Sequence, residues 1–302
     1  MQNWTKRIVL FLFFGATTVS AQESLKYDLL YPSIQDQKHT AFRPTVDKSD
    51  DKALFNLSAK ELKLRFNPAF DLLFGTSDQA VNRLGYGVAV KMDFRKWRAG
   101  FTYLHSRGKY LNYQDEFIRE NRVLPAMGVS SGSGTIQADY YNAHLGFNPN
   151  NIFDFELGYG RNFIGDGHRS LLLSDFGQAS PYLKIQTTFW NLQYTNLFAI
   201  HENIFNVEGE PDFYQRKYSA THFLDWKATS WLSVGLFETV IWQHNQGNYN
   251  RGFDVNYLNP VIFYRPVEFS TGSSDNVMVG ANLKITPTKQ HVFYFQLLFD
   301  EF

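Results

Sequence analysis

From Leu62 onward the chain alternates with a period of two, over lengths that soluble strands seldom reach. Leu62, Leu64, Phe66, Phe70, Leu72 and Phe74 share one parity, while Lys63, Arg65, Asn67 and Asp71 hold the other. Because successive side chains of a strand point to opposite faces, such a run makes a ribbon with one apolar and one polar side. The pattern recurs. Leu84, Tyr86, Val88, Val90, Met92 and Phe94 alternate with Gly85, Gly87, Ala89, Lys91 and Asp93, and Trp97, Ala99, Phe101 and Tyr103 resume it after a turn at Arg95 and Lys96. Phe153, Phe155, Leu157 and Tyr159 do the same against Asp154, Glu156, Gly158 and Gly160, as do Val277, Val279, Ala281, Leu283 and Ile285 against Gly280, Asn282 and Lys284.

Further runs at 135–148, 181–199, 216–229, 231–243 and 289–299 bring the expected total to about ten strands, of the roughly ten-residue length that suits a tilted membrane-crossing strand. The stretch 112–124 reads as a short helix, 244–256 as a long polar surface loop, and 259–269, with Pro260 and Pro266, as an irregular insertion. Two architectures use two-faced strands: a soluble sandwich, which turns its apolar face inward, and an outer-membrane barrel, which turns it to lipid. The opposite face discriminates. It carries Gly, Ala, Asn and isolated charges, as a crowded barrel interior does, rather than the Lys, Glu and Thr of a solvated sandwich surface. Aromatic residues make up 17% of the chain, and Phe74, Phe94, Trp97, Tyr103, Tyr159, Trp231 and Trp242 fall near strand ends, where interfacial girdles belong. The expected fold is therefore an all-β, antiparallel outer-membrane β-barrel with inserted loops and a short helix.

The N-terminus gives the address. "MQNWTKR" is a positive n-region, "IVLFLFFGATTV" an apolar core too short for a permanent spanning helix, and "VSA" before Gln22 a small-residue cleavage site. The expected organisation is a signal peptide over 1–21, an extended segment over 22–61, and a barrel domain over 62–302. Localisation in the cell outer membrane follows from this segment together with the strands. Phe302 falls out of phase with Phe293, Phe295, Leu297 and Phe299, so the barrel is expected to be incomplete at its C-terminal side.

Several function classes drop out. The formal net charge is zero, which argues against nucleic acid as a partner. Cysteine is absent, which excludes a disulfide framework, a thiolate metal site and a cysteine nucleophile. One stretch, "GYGRNFIGDGHRSLLLSD" (158–175), gathers candidate chemistry: Arg161, Asp166, His168, Arg169, Ser170 and Asp175. A hydrolase would use His168, Ser170 and Asp175, but adjacent side chains of an extended loop diverge and no G-x-S-x-G elbow is present. A metal site would use Asp166, His168 and Asp175, without any H-x-x-x-H or H-E-x-x-H spacing to support it. The favoured reading has Gly165 and Gly167 turn the chain inward while the charged side chains lock the loop by pairing with the wall, so neither a catalytic residue nor a metal or other cofactor is expected. A second stretch, 257–276, presents Tyr264, Arg265 and Glu268 between prolines, a composition that suits sugar contact or internal packing.

The segments "RNFIGDGHRSLLLSDFGQASPYLKI" and "NPVIFYRPVEFSTGSSDNVMVGANLKI" resemble the two anchor motifs of the capsule assembly protein Wzi family. "HTAFRP" and the closing "YFQLLFDEF" are most similar to its Bacteroidetes branch, which includes gliding-motility proteins of the RemB type. The resemblance covers most of the mature chain, and the positions it carries over are Gly165 to Asp175 and Pro260 to Ser274. It implies a non-enzymatic, lectin-like outer-membrane barrel whose partners are capsular or surface polysaccharide and membrane lipid. For the RemB-like branch it implies a gliding or adhesion role, with gliding or capsule-export proteins as further partners.

Overall fold

A computed structural model of the 302-residue chain describes residues 42–43, 53–76, 80–125, 127–132, 134–167, 169–204, 207, 209–246, 249–260, 275–288 and 291–300. The signal segment lies outside the described residues. The strands in chain order are β1 (Phe42–Arg43), β2 (Phe55–Ala59), β3 (Leu62–Thr76), β4 (Ala80–Phe94), β5 (Trp97–Lys109), β6 (Val123–Leu124), β7 (Gly128–Ser131), β8 (Ile136–Phe147) and β9 (Phe153–Gly160). There follow β10 (Phe163–Ile164), β11 (Ser180–Phe189), β12 (Leu192–Asn203), β13 (Gln215–Trp226), β14 (Leu232–Gln243), β15 (Asn245–Gln246), β16 (Tyr249–Asn250), β17 (Asn276–Thr288) and β18 (His291–Asp300). The helix, α1, spans Asn112–Asn121.

One antiparallel sheet holds nearly all of them. Its main path runs β18-β17-β14-β13-β12-β11-β9-β8-β5-β4-β3-β2, so each long strand pairs with its neighbour in the chain. The expected run 181–199 is two strands, because Trp190 takes a left-handed φ of 55° and turns the chain at Trp190–Asn191. The same device closes the turns at Lys60 (φ 49°) and Arg95 (φ 55°), where the right-handed strand twist favours a positive-φ first residue. The sheet also takes in Phe55–Ala59, ahead of the expected start at Leu62, since Phe55 and Leu57 pair with Phe66 and Leu64 on the apolar side. Helix α1 stops short of residue 124: Arg122 enters the left-handed region at φ 54°, and Val123–Leu124 leave as a strand.

The connections sort by end. Every hairpin at one end is short, at Lys60–Glu61, Arg95–Lys96, 148–152, Trp190–Asn191, 227–231 and between the paired Thr288 and His291. The opposite end carries the long connections 110–135, 161–179, 204–214 and 244–275, beside one short link between Thr76 and Ala80. Short turns at one rim and long loops at the other are the asymmetry of an outer-membrane barrel wall. The outward side chains agree. Phe66, Phe70, Leu72, Leu84, Phe101, Leu145 and Leu157 are between 41% and 68% exposed on that face, which only lipid makes favourable. Around the short-turn rim Phe94, Trp97, Phe153, Phe189, Trp190, Trp226 and Trp231 form an aromatic girdle, with Trp97 and Phe147 rings 4.5 Å apart. The fold is thus an all-β transmembrane sheet of outer-membrane barrel type, and among the described residues it is open between β2 and β18. No helix among them is long and apolar enough to cross a membrane.

The inward side is filled by the long loops. Tyr110, Ile118 of α1, Leu124 and Met127 pack on Ile136, Ala138 and Tyr140 of β8. Loop 161–179 doubles back through an Ile164–Leu173 bridge and buries Ile164 and Leu172 against Phe223 of β13 and Phe237 of β14. The lead-in segment joins this plug, since β1 pairs antiparallel with β10.

Away from the short-turn rim, strands β12 to β14 depart from the simple lipid-facing expectation, their outward face being buried as well. Trp242, expected in an interfacial girdle, is 2% exposed because residues 251–258 fold over the outward side and stack Tyr257 on it at 4.7 Å. Farther toward the short-turn rim, His222 and Glu238 stand directly opposite one another on the outward face and are fully buried, with the Tyr194 hydroxyl 2.8 Å from His222 Nδ1.

Candidate functional site

Two loops and one wall cluster hold the polar chemistry. In loop 161–179 the chain turns inward at Gly165, whose φ of 132° and close approach to Ser170 and Gln296 exclude a side chain. Asp166 then reaches across the interior. Its carboxylate lies 3.1 Å from Lys284 Nζ and accepts from Asn282 Nδ2 at 2.7 Å, and its amide donates to Asn282 Oδ1 at 3.3 Å. The loop leaves β9 and is thereby tied to β17 on the far side of the interior. Gln296 Oε1 of β18 accepts a further bond from the Leu171 amide at 3.0 Å.

Arg161 is 8% exposed, donates to the Asp175 carbonyl at 3.1 Å and lies 5.1 Å from the Tyr140 ring centroid. Asp175 is 2% exposed. Arg169 is exposed and its guanidinium carbon lies 6.0 Å from the ring of Phe176, itself 57% exposed. Ser170 donates to the Ile164 carbonyl and accepts from the Leu172 amide at 3.0 Å, so its hydroxyl closes the loop's own turn. Of the sequence-derived candidates, Arg161, Asp166 and Asp175 are loop locks by geometry, and Arg169 is exposed. His168, Tyr264, Arg265 and Glu268 lie outside the described residues.

The wall cluster was not singled out from the sequence. Glu156 of β9 accepts from Lys184 Nζ at 2.6 Å, from the Tyr182 hydroxyl at 2.8 Å and from Arg98 Nη2 at 2.7 Å. Arg98 also donates to Asp154 at 2.6 Å and to Asn148 Oδ1 at 2.6 Å. Room for the guanidinium comes from Gly146, where a Cβ would overlap Arg98, and room for the Tyr182 phenol comes from Gly158. The signal was available in parity: Arg98, Gly146, Glu156 and Lys184 all fall on the small-and-charged face of their strands and line up in one pairing row. Two cations around two carboxylates leave little net charge, which suits a fixed interior better than an ion path.

Beyond the membrane at the long-loop rim, Arg251 donates to Asp254 at 2.7 Å and to Asp275 at 2.6 Å, and the Tyr257 hydroxyl donates to Asp275 at 2.6 Å. Burial alone would lower the Arg251 pKa, but its hydrogen bonds to Asp275 and Asp254 outweigh this and hold it above its ordinary value. Helix α1 is pinned by an Asp115–Arg119 pair at 2.5 Å, acid before base in the favourable i, i+4 order, and by the Tyr214 hydroxyl donating to the Asn121 carbonyl at 2.5 Å. Among the described residues exposed at this rim are the aromatic Tyr113 (67%), Phe176 (57%) and Phe213 (69%).

No family model matches the chain, and no curated protein matches it. Among solved structures it is similar to the crystal structure of BamA from Haemophilus ducreyi lacking POTRA domains 1–3, at 9% identity and a TM-score of 0.36. That similarity covers 79% of this chain, which spans 55% of the other.

Proposed function

We propose that the chain is an exported outer-membrane protein that holds capsular or other surface polysaccharide at the cell exterior, as a lectin-like attachment site and not as an enzyme. The observation that supports this most is the division of labour among its long loops. In loop 161–179 the charged residues Asp166 and Arg161 are spent inward, on Lys284, Asn282 and the Asp175 backbone, so the interior there is occupied by fixed protein. The aromatic loop residues Tyr113, Phe176 and Phe213 stay outward, and Arg169 sits over Phe176. Aromatic faces stack on the C–H faces of sugars, and a guanidinium beside them donates to hydroxyls or to acidic groups. The resemblance of loop 161–179 to the Wzi family points the same way.

The test is glycan binding by the purified protein, together with capsule retention by cells that lack it. Tyr113→Ala, Phe176→Ala and Phe213→Ala combined should abolish retention while the wall stays folded. Binding unchanged in that triple variant, or surface polysaccharide unaltered in the deletion strain, overturns the reading. Adhesion or gliding is the second reading, favoured by the exposed aliphatic Val255 (70%) and Leu258 (44%) at the same rim. A deletion strain that keeps its capsule but no longer moves over a surface decides for it.

A further inference from the structure

The outward face of the wall carries few charges, and two of them stand together. Among the described residues of the long strands, the Lys and Arg side chains on that face are Arg107 and Lys109 of β5 and Arg216 of β13. Arg216 stands directly opposite Glu202 of β12. Arg107 and Lys109 have no such neighbour, since Arg107 is opposed by Leu84 and Gln137, and Lys109 by Asn82. Both are exposed, and their side chains make no hydrogen bond or ion pair with a described residue. The carboxylate nearest along the ladder, Asp139, is committed elsewhere: it accepts from the Tyr103 hydroxyl at 2.9 Å and lies 2.9 Å from His105 Nδ1.

The height of this pair follows from the strand that carries it. Trp97, in the short-turn girdle, and Arg107 are ten positions apart on β5. At a rise of about 3.4 Å per residue and a tilt of about 35–45°, that length climbs about 24–28 Å, which matches the apolar band of about 25 Å on an outer-membrane barrel. Arg107 therefore stands at the far edge of the band, on the long-loop side, and Lys109 stands one step beyond it. Tyr86, Tyr103 and Tyr141 lie just beneath on the same face, where interfacial phenols belong. Exposed Phe70 and Phe101 continue that face into the apolar band. The surface is thus cationic at headgroup height, phenolic below it and apolar below that, the order of groups in a membrane lipid with an anionic head. Two like charges about 7 Å apart on one strand face also repel each other, and an anion between them relieves both.

We propose that Arg107 and Lys109 bind a headgroup phosphate of an outer-leaflet lipid, whose acyl chains run down the wall over Tyr86, Phe70 and Phe101. The planar guanidinium donates to two phosphate oxygens and the ammonium to a third. The lipid is held at the root of loop 110–135, which begins where β5 ends. The site is separate from whatever the exposed rim of the long loops binds.

The purified full chain in detergent is titrated with diphosphorylated lipid A, with the same lipid stripped of its phosphates, and with inorganic phosphate, and bound species are counted by native mass spectrometry. Arg107→Gln combined with Lys109→Gln should weaken retention of the phosphorylated lipid about 30-fold, two interfacial cations being lost. The stripped lipid should bind the parent and this variant equally weakly. Arg107→Lys combined with Lys109→Arg keeps both charges and should keep the lipid, and Arg216→Gln, a substitution of the other outward cation, should change nothing. Equal retention of phosphorylated lipid by the parent and the double Gln variant overturns the proposal, as does equal retention of the two lipids by the parent. Loss of the same size in Arg216→Gln overturns it in favour of a general charge effect, and inorganic phosphate displacing the lipid at equal concentration overturns it in favour of a free anion.

Discussion

Lys184 Nζ donates to Glu156 Oε1 across 2.6 Å, from directly opposed positions on β11 and β9, with the two side chains only 3% and 5% exposed. Such a pair is costly to desolvate and is maintained because Glu156 also receives Tyr182 and Arg98. Its members are unequal. Removing the carboxylate takes its anion from Lys184 and leaves Arg98 with Asp154 alone, whereas removing Lys184 leaves Glu156 paired with Arg98. Glu156→Leu should therefore destabilise the wall by about 3–5 kcal/mol, and Lys184→Met by clearly less. Denaturant unfolding of the protein in lipid measures both, and equal losses would contradict the assignment of Glu156 as the hub.

Asp166 is the far anchor of the loop that crosses the interior. Asp166→Ala removes the Lys284 pair and the Asn282 bond together. The loop should then leave its seat for part of the time, and conductance in planar bilayers should rise severalfold over the parent protein. Asp166→Asn, which keeps an acceptor for Asn282 but not the charge, should lie between the two. Conductance identical in all three would mean that Ile164, Leu172 and the backbone bridge at Leu173 hold the plug alone.

Ser170 separates a structural loop from a hydrolytic one. Its hydroxyl donates to the Ile164 carbonyl and accepts from the Leu172 amide and from Gln296 Nε2 at 3.1 Å. Ser170→Ala should cost about 1–2 kcal/mol through those lost bonds and leave glycan binding in place. A variant of unchanged stability that loses a measurable hydrolytic activity would reverse the reading.

What was legible in advance follows from how far each signal reaches along the chain. The wall was legible because alternation is local: Leu84 to Phe94 declare two faces without any knowledge of their neighbours, and a strand spans that range. The turn at Trp190 was not, because a tryptophan and an asparagine between two apolar-rich runs carry no Gly or Pro. Strand β2 was missed because five residues set against a charged lead-in show too little of the period, and only pairing with β3 makes the phase visible. In the loops the sequence pointed to Asp166 and Arg161 as locks, but their partners Asn282, Lys284 and Tyr140 are brought to them only by the curvature of the sheet. The double burial of β13 and β14 had no local signature at all. His222 and Glu238 sit in phase with Leu224 and Leu236, and alternation alone assigns that face to lipid.

The cover over those strands should respond to acid through Asp254. Burial pushes the Asp254 carboxyl up, but the Arg251 guanidinium at 2.7 Å and the Asn256 amide at 3.0 Å outweigh it and hold the group below its ordinary 3.8. A folded-state pKa below the unfolded one contributes stability that is present above the unfolded value and is lost as the pH falls through the folded one. The fold over β14 should accordingly hold from neutral pH down to about pH 4 and loosen below it. Trp242 reports the change, since its Nε1 donates to the Gly252 carbonyl at 3.1 Å and its ring packs on Tyr257 and on Phe253 at 5.5 Å. Emission of Trp242, isolated by subtracting a Trp242→Phe variant, should shift as that contact loosens in acid. Asp254→Asn has no charge to lose, so it should flatten this acid transition while weakening the Arg251 contact at every pH. An acid transition of equal size in the variant would overturn the assignment to Asp254.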